Sequence, residues 1–201
     1  MSSPFFRIDP DGPAPILRLA SPDGTNRLTR ACVLALTVAI GDLKNELKKQ
    51  LRPLVVAGNR QFFSVGADLN EIAALTGSEA YRFSAMGQAL MNALASYPAP
   101  VIAAIEGHCM GGGLDLALAC HRRIAAPHAV FGHRGAALGL VTGWGGTQRL
   151  PRLIGKSRAL ELFVAAEKVS AARALEIGLV DAIADDPVAE AVRQFAGPRL
   201  S

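Results

Sequence analysis

Two stretches of this sequence bring glycine freedom up to the start of a helix: Phe63-Ser64-Val65-Gly66-Ala67-Asp68-Leu69 and Gly107-His108-Cys109-Met110-Gly111-Gly112-Gly113-Leu114-Asp115. Glycine takes backbone conformations that other residues avoid, and it lets a ligand approach the main chain. The first turn of a helix leaves N–H groups without internal acceptors. Two such amides converging on one point form an oxyanion hole, which stabilises negative charge developing on a carbonyl oxygen. Each donor is worth about 3–4 kcal/mol in known cases. Glycine content alone favours a plainer explanation, in which Gly111–Gly113 only permit close packing of a helix on a sheet.

Other chemistries fit less well. Gly155-Lys156-Ser157 imitates the end of a phosphate-binding loop, but Leu150 stands where the earlier glycine is required, and no G-x-G-x-x-G follows a strand. His108, His121, His128 and His133 lack a compact ligand pattern, so no metal site is expected. Trp144, in Gly143-Trp144-Gly145-Gly146, offers a large apolar wall for a pocket, or equally a piece of core.

The elements that must hold these stretches are legible from periodicity. Leu54-Val55-Val56-Ala57 and Val101-Ile102-Ala103-Ala104-Ile105 are unbroken apolar runs, the pattern of strands buried on both faces, and each runs into a glycine-bearing loop. Ile16–Leu19 alternates like a strand after a Pro-, Asp- and Gly-rich beginning, Met1 to Pro15. Leu36, Ile40, Leu43, Leu47 and Leu51 recur at helical spacing until Pro53, with the charged pair Lys48-Lys49 on another face. Between the two buried strands, Ser78 can cap a helix whose apolar face is Phe83, Met86, Leu90, Leu94 and Tyr97, closed by Pro98 and Pro100.

Beyond the glycines, Leu114 to Cys120 predicts a short buried helix, with strands at Arg123–Ala125 and Val130–Gly132. Ser157 and Ser170 are candidate N-caps for helices over Arg158–Ala166 and Ala171–Ile177, the second ended by Gly178. Pro187 opens a last helix that Gly197-Pro198 ends.

Composition narrows the class. A chain of 201 residues, half of them hydrophobic, fits one domain and buries roughly 70% of its unfolded surface, enough for a core without staples. The net charge of +4 is scattered rather than striped, and aromatic residues are only 5%, which argues against a nucleic-acid role. Cys32, Cys109 and Cys120 are odd in number, with no C-x-x-C, so they read as buried reduced thiols of a cytoplasmic protein. The longest apolar stretch, Ala31 to Ile40, is about half of the ~20 residues a membrane span needs, and no signal peptide is apparent.

Taken in order, Phe63–Leu69, Pro100–Gly107, Gly111–Ala117 and Gly143–Leu150 resemble the enoyl-CoA hydratase/isomerase (crotonase) family. Gly155-Lys156, Ala172-Arg173-Ala174 and Gly178-Leu179-Val180-Asp181 extend the similarity over roughly residues 15 to 185. The resemblance implies an α/β fold built as a spiral of ββα units, with residues 1–186 as core and 187–201 as a short helix and tail. It also implies an acyl-coenzyme A thioester as substrate, with no separate cofactor, and an enolate-like intermediate held by the amides of Ala67 and Gly112. On the same basis Ser64, Gly66, Ala67, Asp68 and Leu69 hold the bent coenzyme A through their main chain.

The proton-transfer equipment departs from that pattern. Hydratases of the family use two glutamates; the first falls at Asp115 here and the second at Gly135. Dienoyl-CoA isomerases share aspartate at the first position but keep a carboxylate at the second. General acid–base groups contribute typically 10²–10⁴-fold, and glycine supplies none of it. Asp115 is the best candidate proton carrier, yet an acid in the first turn also suits the helix dipole, so both roles stay open. His133 and Arg134 lie next to the vacant position, and either can substitute only if its side chain turns inward. His108 is expected to pack or face solvent.

A second departure is at the C-terminus. Relatives continue into helices that cover the acyl pocket and build trimers, whereas this sequence stops at Ser201. The expectation is an exposed apolar surface buried by self-association, trimer-based on the family plan, or by another subunit. The sequence therefore points to an enzyme of enoyl-CoA hydratase or isomerase type. The open alternatives are a non-catalytic acyl-CoA-binding or scaffold subunit, or another enolate reaction such as decarboxylation or thioester hydrolysis.

Overall fold

Every residue of Leu54–Ala57 and Val101–Ile105 is buried, because the sheet they form is covered on both faces. The computed structural model describes residues 2–46 and 52–196. Its elements run β1 (Ser2–Ser3), β2 (Phe6–Asp9), β3 (Ile16–Leu19), β4 (Arg27–Leu28), α1 (Arg30–Glu46), β5 (Leu54–Ala57), β6 (Phe62–Ser64), β7 (Gly66–Ala67), α2 (Leu69–Ala73), α3 (Gly77–Ala95), β8 (Val101–Ile105) and β9 (His108–Met110). There follow α4 (Gly112–Ala119), β10 (Arg122–Ala125), β11 (Val130–Gly132), a 3₁₀ turn (Ala136–Leu138), α5 (Gly146–Ile154), α6 (Lys156–Ala165), β12 (Val169–Ser170), α7 (Ala171–Glu176), β13 (Ala182–Ile183) and α8 (Pro187–Ala196).

Among the described residues, the larger sheet has the order β1-β2-β3-β5-β8-β10-β13 and a smaller one the order β12-β11-β9-β6. From β3 to β13 the larger sheet is parallel, as are β6, β9 and β11 in the smaller. Each turn of the chain lays one strand in the large sheet and one in the small sheet, then crosses back by helix. The pairs β5/β6, β8/β9 and β10/β11 repeat this ββα unit, the spiral that the sequence resemblance implies.

The alternation along the central strands divides their side chains between two clusters, since successive residues point to opposite faces. Leu54, Val56, Val101, Ala103 and Ile105 join the main core under α1 and α3. Val55, Ala57, Ile102, Ala104 and Ile124 face α8, whose Val188, Ala191, Val192 and Phe195 pack on them. The helix opened by Pro187 thus covers the outer face of the larger sheet.

Local chemistry sets several boundaries differently from expectation. The helix of Phe83 and Leu90 starts at Gly77 rather than beyond Ser78. Its N-cap is Thr76, whose amide and hydroxyl both donate to the Glu79 carboxylate at 2.8 and 2.7 Å, a capping box worth about 1 kcal/mol. The helix after Gly155 likewise begins at Lys156, with Gly155 instead of Ser157 as its cap. Ser170 does cap α7, its hydroxyl accepting from Arg173 N at 3.3 Å. Phe6–Asp9, inside the Pro-, Asp- and Gly-rich beginning, pairs antiparallel with β3 and buries Phe6 and Ile8. The first chemical stretch carries β6, β7 and the start of α2 instead of being loop throughout, and the second contains β9. Leu47, Leu51, the Lys48-Lys49 pair and Gly197-Pro198 lie outside the described residues.

Candidate active site

The carboxyl ends of β6 and β9 lie side by side, so the two glycine-bearing stretches leave their sheet at one place. Ser64 is fully buried there: its hydroxyl donates to Asn26 O at 2.7 Å and accepts from Gly66 N at 3.0 Å. Asn26, itself buried with φ of 54°, donates through Nδ2 to Phe62 O and Phe63 O. These bonds clamp the turn that presents Ala67. Asp68 accepts at Oδ1 from Asn70 N and Glu71 N, capping α2, and pairs with Arg27 at 3.3 Å. Partial burial raises the Asp68 carboxyl, but the Asn70 and Glu71 amides and the Arg27 guanidinium outweigh it and leave it below the usual carboxylate range.

Gly66 has φ of 90°, and a Cβ added there would fall 2.6 Å from Met110 O and 2.7 Å from Gly112 N. Only glycine permits so close an approach of the two backbones. A Cβ at Gly113 would meet Ser64 O at 2.6 Å, so this glycine serves close helix packing. Gly112 differs. It opens α4, where amides lack intrahelical acceptors, and its Cβ position lies 3.2 Å from Ala67 N. The plain packing reading therefore applies to Gly113, whereas Gly112 stands where the two backbones approach.

A cavity of about 510 Å³ opens over this junction. Ala67, Leu69, Gly112 and Asp115 line it, with Ile72, Leu75 and Phe83 as apolar wall; Ser64, Gly66 and Asp68 are not among its lining residues. Trp144 closes one side. Its ring packs on Phe83 with centroids 5.3 Å apart, and Nε1 donates to Phe83 O at 3.3 Å. The indole fits only because residues 87 and 112 are glycine: added Cβ atoms would come within 2.1 and 2.6 Å of it.

Asp115 is 1% exposed, yet it borders the cavity. The Thr142 hydroxyl donates to its Oδ2, and His133 Nε2 stands 3.2 Å from Oδ1. That contact is within ion-pair reach, but no aligned hydrogen bond satisfies either atom. His133 turns inward, 4% exposed, with its ring 5.2 Å from that of Phe163. Gly146 makes room for the pair, since a Cβ there would touch Asp115 Oδ1 at 2.2 Å and His133 Nε2 at 3.0 Å. Arg134 is exposed at the cavity rim. Gly135 begins the 3₁₀ turn, its carbonyl accepting from Leu138 N and Leu140 N, both at 2.8 Å.

Cys109 sits behind the glycines, fully buried. Burial first, then the neighbouring Cys120 and Asp115, push its thiol well above the ordinary range, which disfavours the thiolate that a nucleophile needs. His108 is half-buried against Phe62, ring centroids 5.6 Å apart. Among the described residues no group of three or more His, Cys, Asp or Glu could hold a metal ion, and no helix is long and apolar enough to cross a membrane. Sequence reasoning missed Thr142, Asn26 and Gly87, and it named Gly146 without its part in seating Asp115 and His133. None carries a local signal, because each acts on a partner far away in the chain.

The chain matches the family model for enoyl-CoA hydratase/isomerase over residues 15–197. A probable enoyl-CoA hydratase of Bacillus subtilis is 47% identical over 137 residues, 68% of this chain and 53% of the relative, so the match spans about half that relative's length. Among solved structures, an enoyl-CoA hydratase from Bacillus anthracis superimposes with a TM-score of 0.87 at 33% identity, covering 96% of this chain and 76% of the other. DspI of Pseudomonas aeruginosa does so with a TM-score of 0.91 at 33% identity, covering 98% and 75%. With the ββα spiral and the paired glycine stretches in place, these likenesses establish that the chain belongs to the enoyl-CoA hydratase/isomerase (crotonase) family.

Proposed function

We propose that the protein binds an acyl-coenzyme A thioester in the cavity under Ala67 and Gly112, and that these two amides polarise the thioester oxygen for enoyl hydration or isomerisation. The observation that carries this reading is the approach of the two backbones, with Ala67 N 3.2 Å from the Cβ position of Gly112 at the cavity wall. Main-chain amides do not titrate and stand fixed before the substrate arrives, so they stabilise charge without reorganising. Asp115, buried beside the same cavity, is the proton carrier. The main chain from Ser64 to Leu69 holds the coenzyme A.

The experiment is to bind butyryl-CoA labelled with ¹³C at the thioester carbonyl and to follow crotonyl-CoA in parallel. The expected result is a downfield carbonyl shift on binding, with turnover of crotonyl-CoA that Asp115→Asn abolishes. A bound thioester with an unshifted carbonyl removes the oxyanion role. No binding of any acyl-CoA removes the whole reading.

A second reading has one observation in its favour: Gly135 supplies no carboxylate where hydratases of the family carry one. In that case the chain binds acyl-CoA without turning it over, as a scaffold subunit, or runs an enolate reaction with fewer proton transfers. The buried free thiols accord with a cytoplasmic setting. The exposed Leu160 and Val164, one turn apart on α6, accord with self-association.

A further inference from the structure

We infer that His133 is the second proton-transfer group of this site, and that it works as a relay with Asp115. The inference rests on the thioester reading above. It begins with sheet register. Gly132 pairs with Met110 across β11 and β9, and Gly111 N donates to Gly132 O at 2.9 Å, so residue 133 leaves its strand beside the glycines that open α4. That placement sends the imidazole to Asp115 instead of to solvent.

Three features make the pair a unit. Thr142 fixes Oδ2 of Asp115, leaving Oδ1 toward the ring. Oδ1 and Nε2 are 3.2 Å apart, both buried, and neither has an aligned protein partner, an arrangement costly to keep unless the atoms exchange a proton with each other or with a ligand. Gly146 leaves open the space where any side chain would separate them. The other ring nitrogen, Nδ1, makes no hydrogen bond to the described residues, and His133 borders the cavity. Gly135 cannot compete, having no side chain, and its Cβ direction is filled by Leu140 O at 2.7 Å.

Hydration then balances as follows. Nδ1 of His133 takes a proton from water as the water oxygen bonds the β carbon of the enoyl thioester. The π pair moves to the α carbon, its charge shared by the carbonyl oxygen at the Ala67 and Gly112 amides. The α carbon takes a proton from the Asp115 carboxylic acid. The imidazolium passes its Nε2 proton to Oδ1, which restores the carboxylic acid with H and OH added to the substrate; the imidazole, left protonated at Nδ1, returns to its starting tautomer by proton exchange with water once product leaves.

The test compares wild type, His133→Gln and His133→Ala for crotonyl-CoA hydration, butyryl-CoA binding and thermal melting, with added imidazole as a rescue agent. Expected for both variants is a fall in kcat of about 100-fold or more, with butyryl-CoA affinity within about threefold, and at least tenfold recovery of His133→Ala by imidazole. Retention of hydration within threefold in a folded His133→Gln overturns the relay. So does loss of affinity and kcat together without imidazole recovery, which marks a structural histidine. If wild type itself fails to bind butyryl-CoA, the thioester reading falls, and the relay with it. If wild type binds but does not hydrate, the relay alone is overturned.

Discussion

The indole of Trp144 fills the volume that any side chain at Gly87 would need: a Cβ there would lie 2.1 Å from Nε1 and 2.2 Å from Cδ1. The contact joins α3 to the segment before α5 and closes one wall of the cavity. Unlike the tip of a lysine, a ring held by Phe83 and Gly112 cannot swing aside.

Gly87→Ala is therefore expected to destabilise by about 1–3 kcal/mol through overpacking. Trp144→Ala should cost about 3–5 kcal/mol by leaving a void. In the double variant the alanine methyl enters space the indole vacated, so the total loss should be smaller than the sum. Chemical denaturation of the four proteins measures the coupling, and strict additivity would show that the two residues do not compete for the same space.

Trp144→Ala also enlarges the cavity beside Gly112. If the proposed substrate site is right, the variant should accept longer or bulkier acyl chains relative to crotonyl-CoA, read as the ratio of kcat/KM values across an acyl series. An unchanged ratio would place the acyl chain elsewhere.

At Gly66, alanine faces both a φ of 90° and two backbone atoms nearer than 3 Å. Gly66→Ala should push the two glycine stretches apart, lowering stability by about 1–3 kcal/mol and weakening butyryl-CoA binding. Alanine at Gly111, also at positive φ but with nothing within 4 Å, should cost less. Calorimetry of the two variants tests that order.

Restoring a carboxylate by Gly135→Glu should not simply restore two-carboxylate chemistry. The new Cβ would lie 2.7 Å from Leu140 O, so the 3₁₀ turn must shift before the glutamate can point inward. The expected outcome is a lowered melting temperature and less than tenfold gain in crotonyl-CoA hydration. A gain of about 100-fold or more would show that the turn yields easily.

Burial raises the thiols of Cys32 and Cys120 to about 12, from an ordinary 9.0. A folded-state value above the unfolded one favours the native state fully while both forms are protonated. That contribution is lost as pH climbs from about 9 toward 12, since unfolded thiols ionise first. Denaturation midpoints should fall across this window, and Cys32→Ala and Cys120→Ala variants should flatten the fall. Iodoacetamide at pH 8 should label the native protein far more slowly than the denatured one.

Periodicity and glycine placement alone were enough to locate the central strands, the amphipathic helices and the two stretches that meet at the cavity. Those signals are local: an unbroken apolar run reports burial on both faces, and a glycine before a helix reports a backbone that must turn or be approached. The short strands β7 and β9 left no such trace, because their pairing depends on partners distant in the chain. The caps shifted by two residues at Thr76 and Gly155 because several neighbouring side chains satisfy the same local rule.

What the sequence determined by itself was the order of burial along the chain and the positions free to bend. Only the tertiary structure decided that His133 faces Asp115, that Thr142 holds the opposite oxygen, and that Gly87, Gly112 and Gly146 are empty for the sake of a neighbour. Each of those facts is a distance between residues 13 to 57 apart in the chain, fixed by sheet register and helix crossing, and no local pattern encodes the place to which a chain returns.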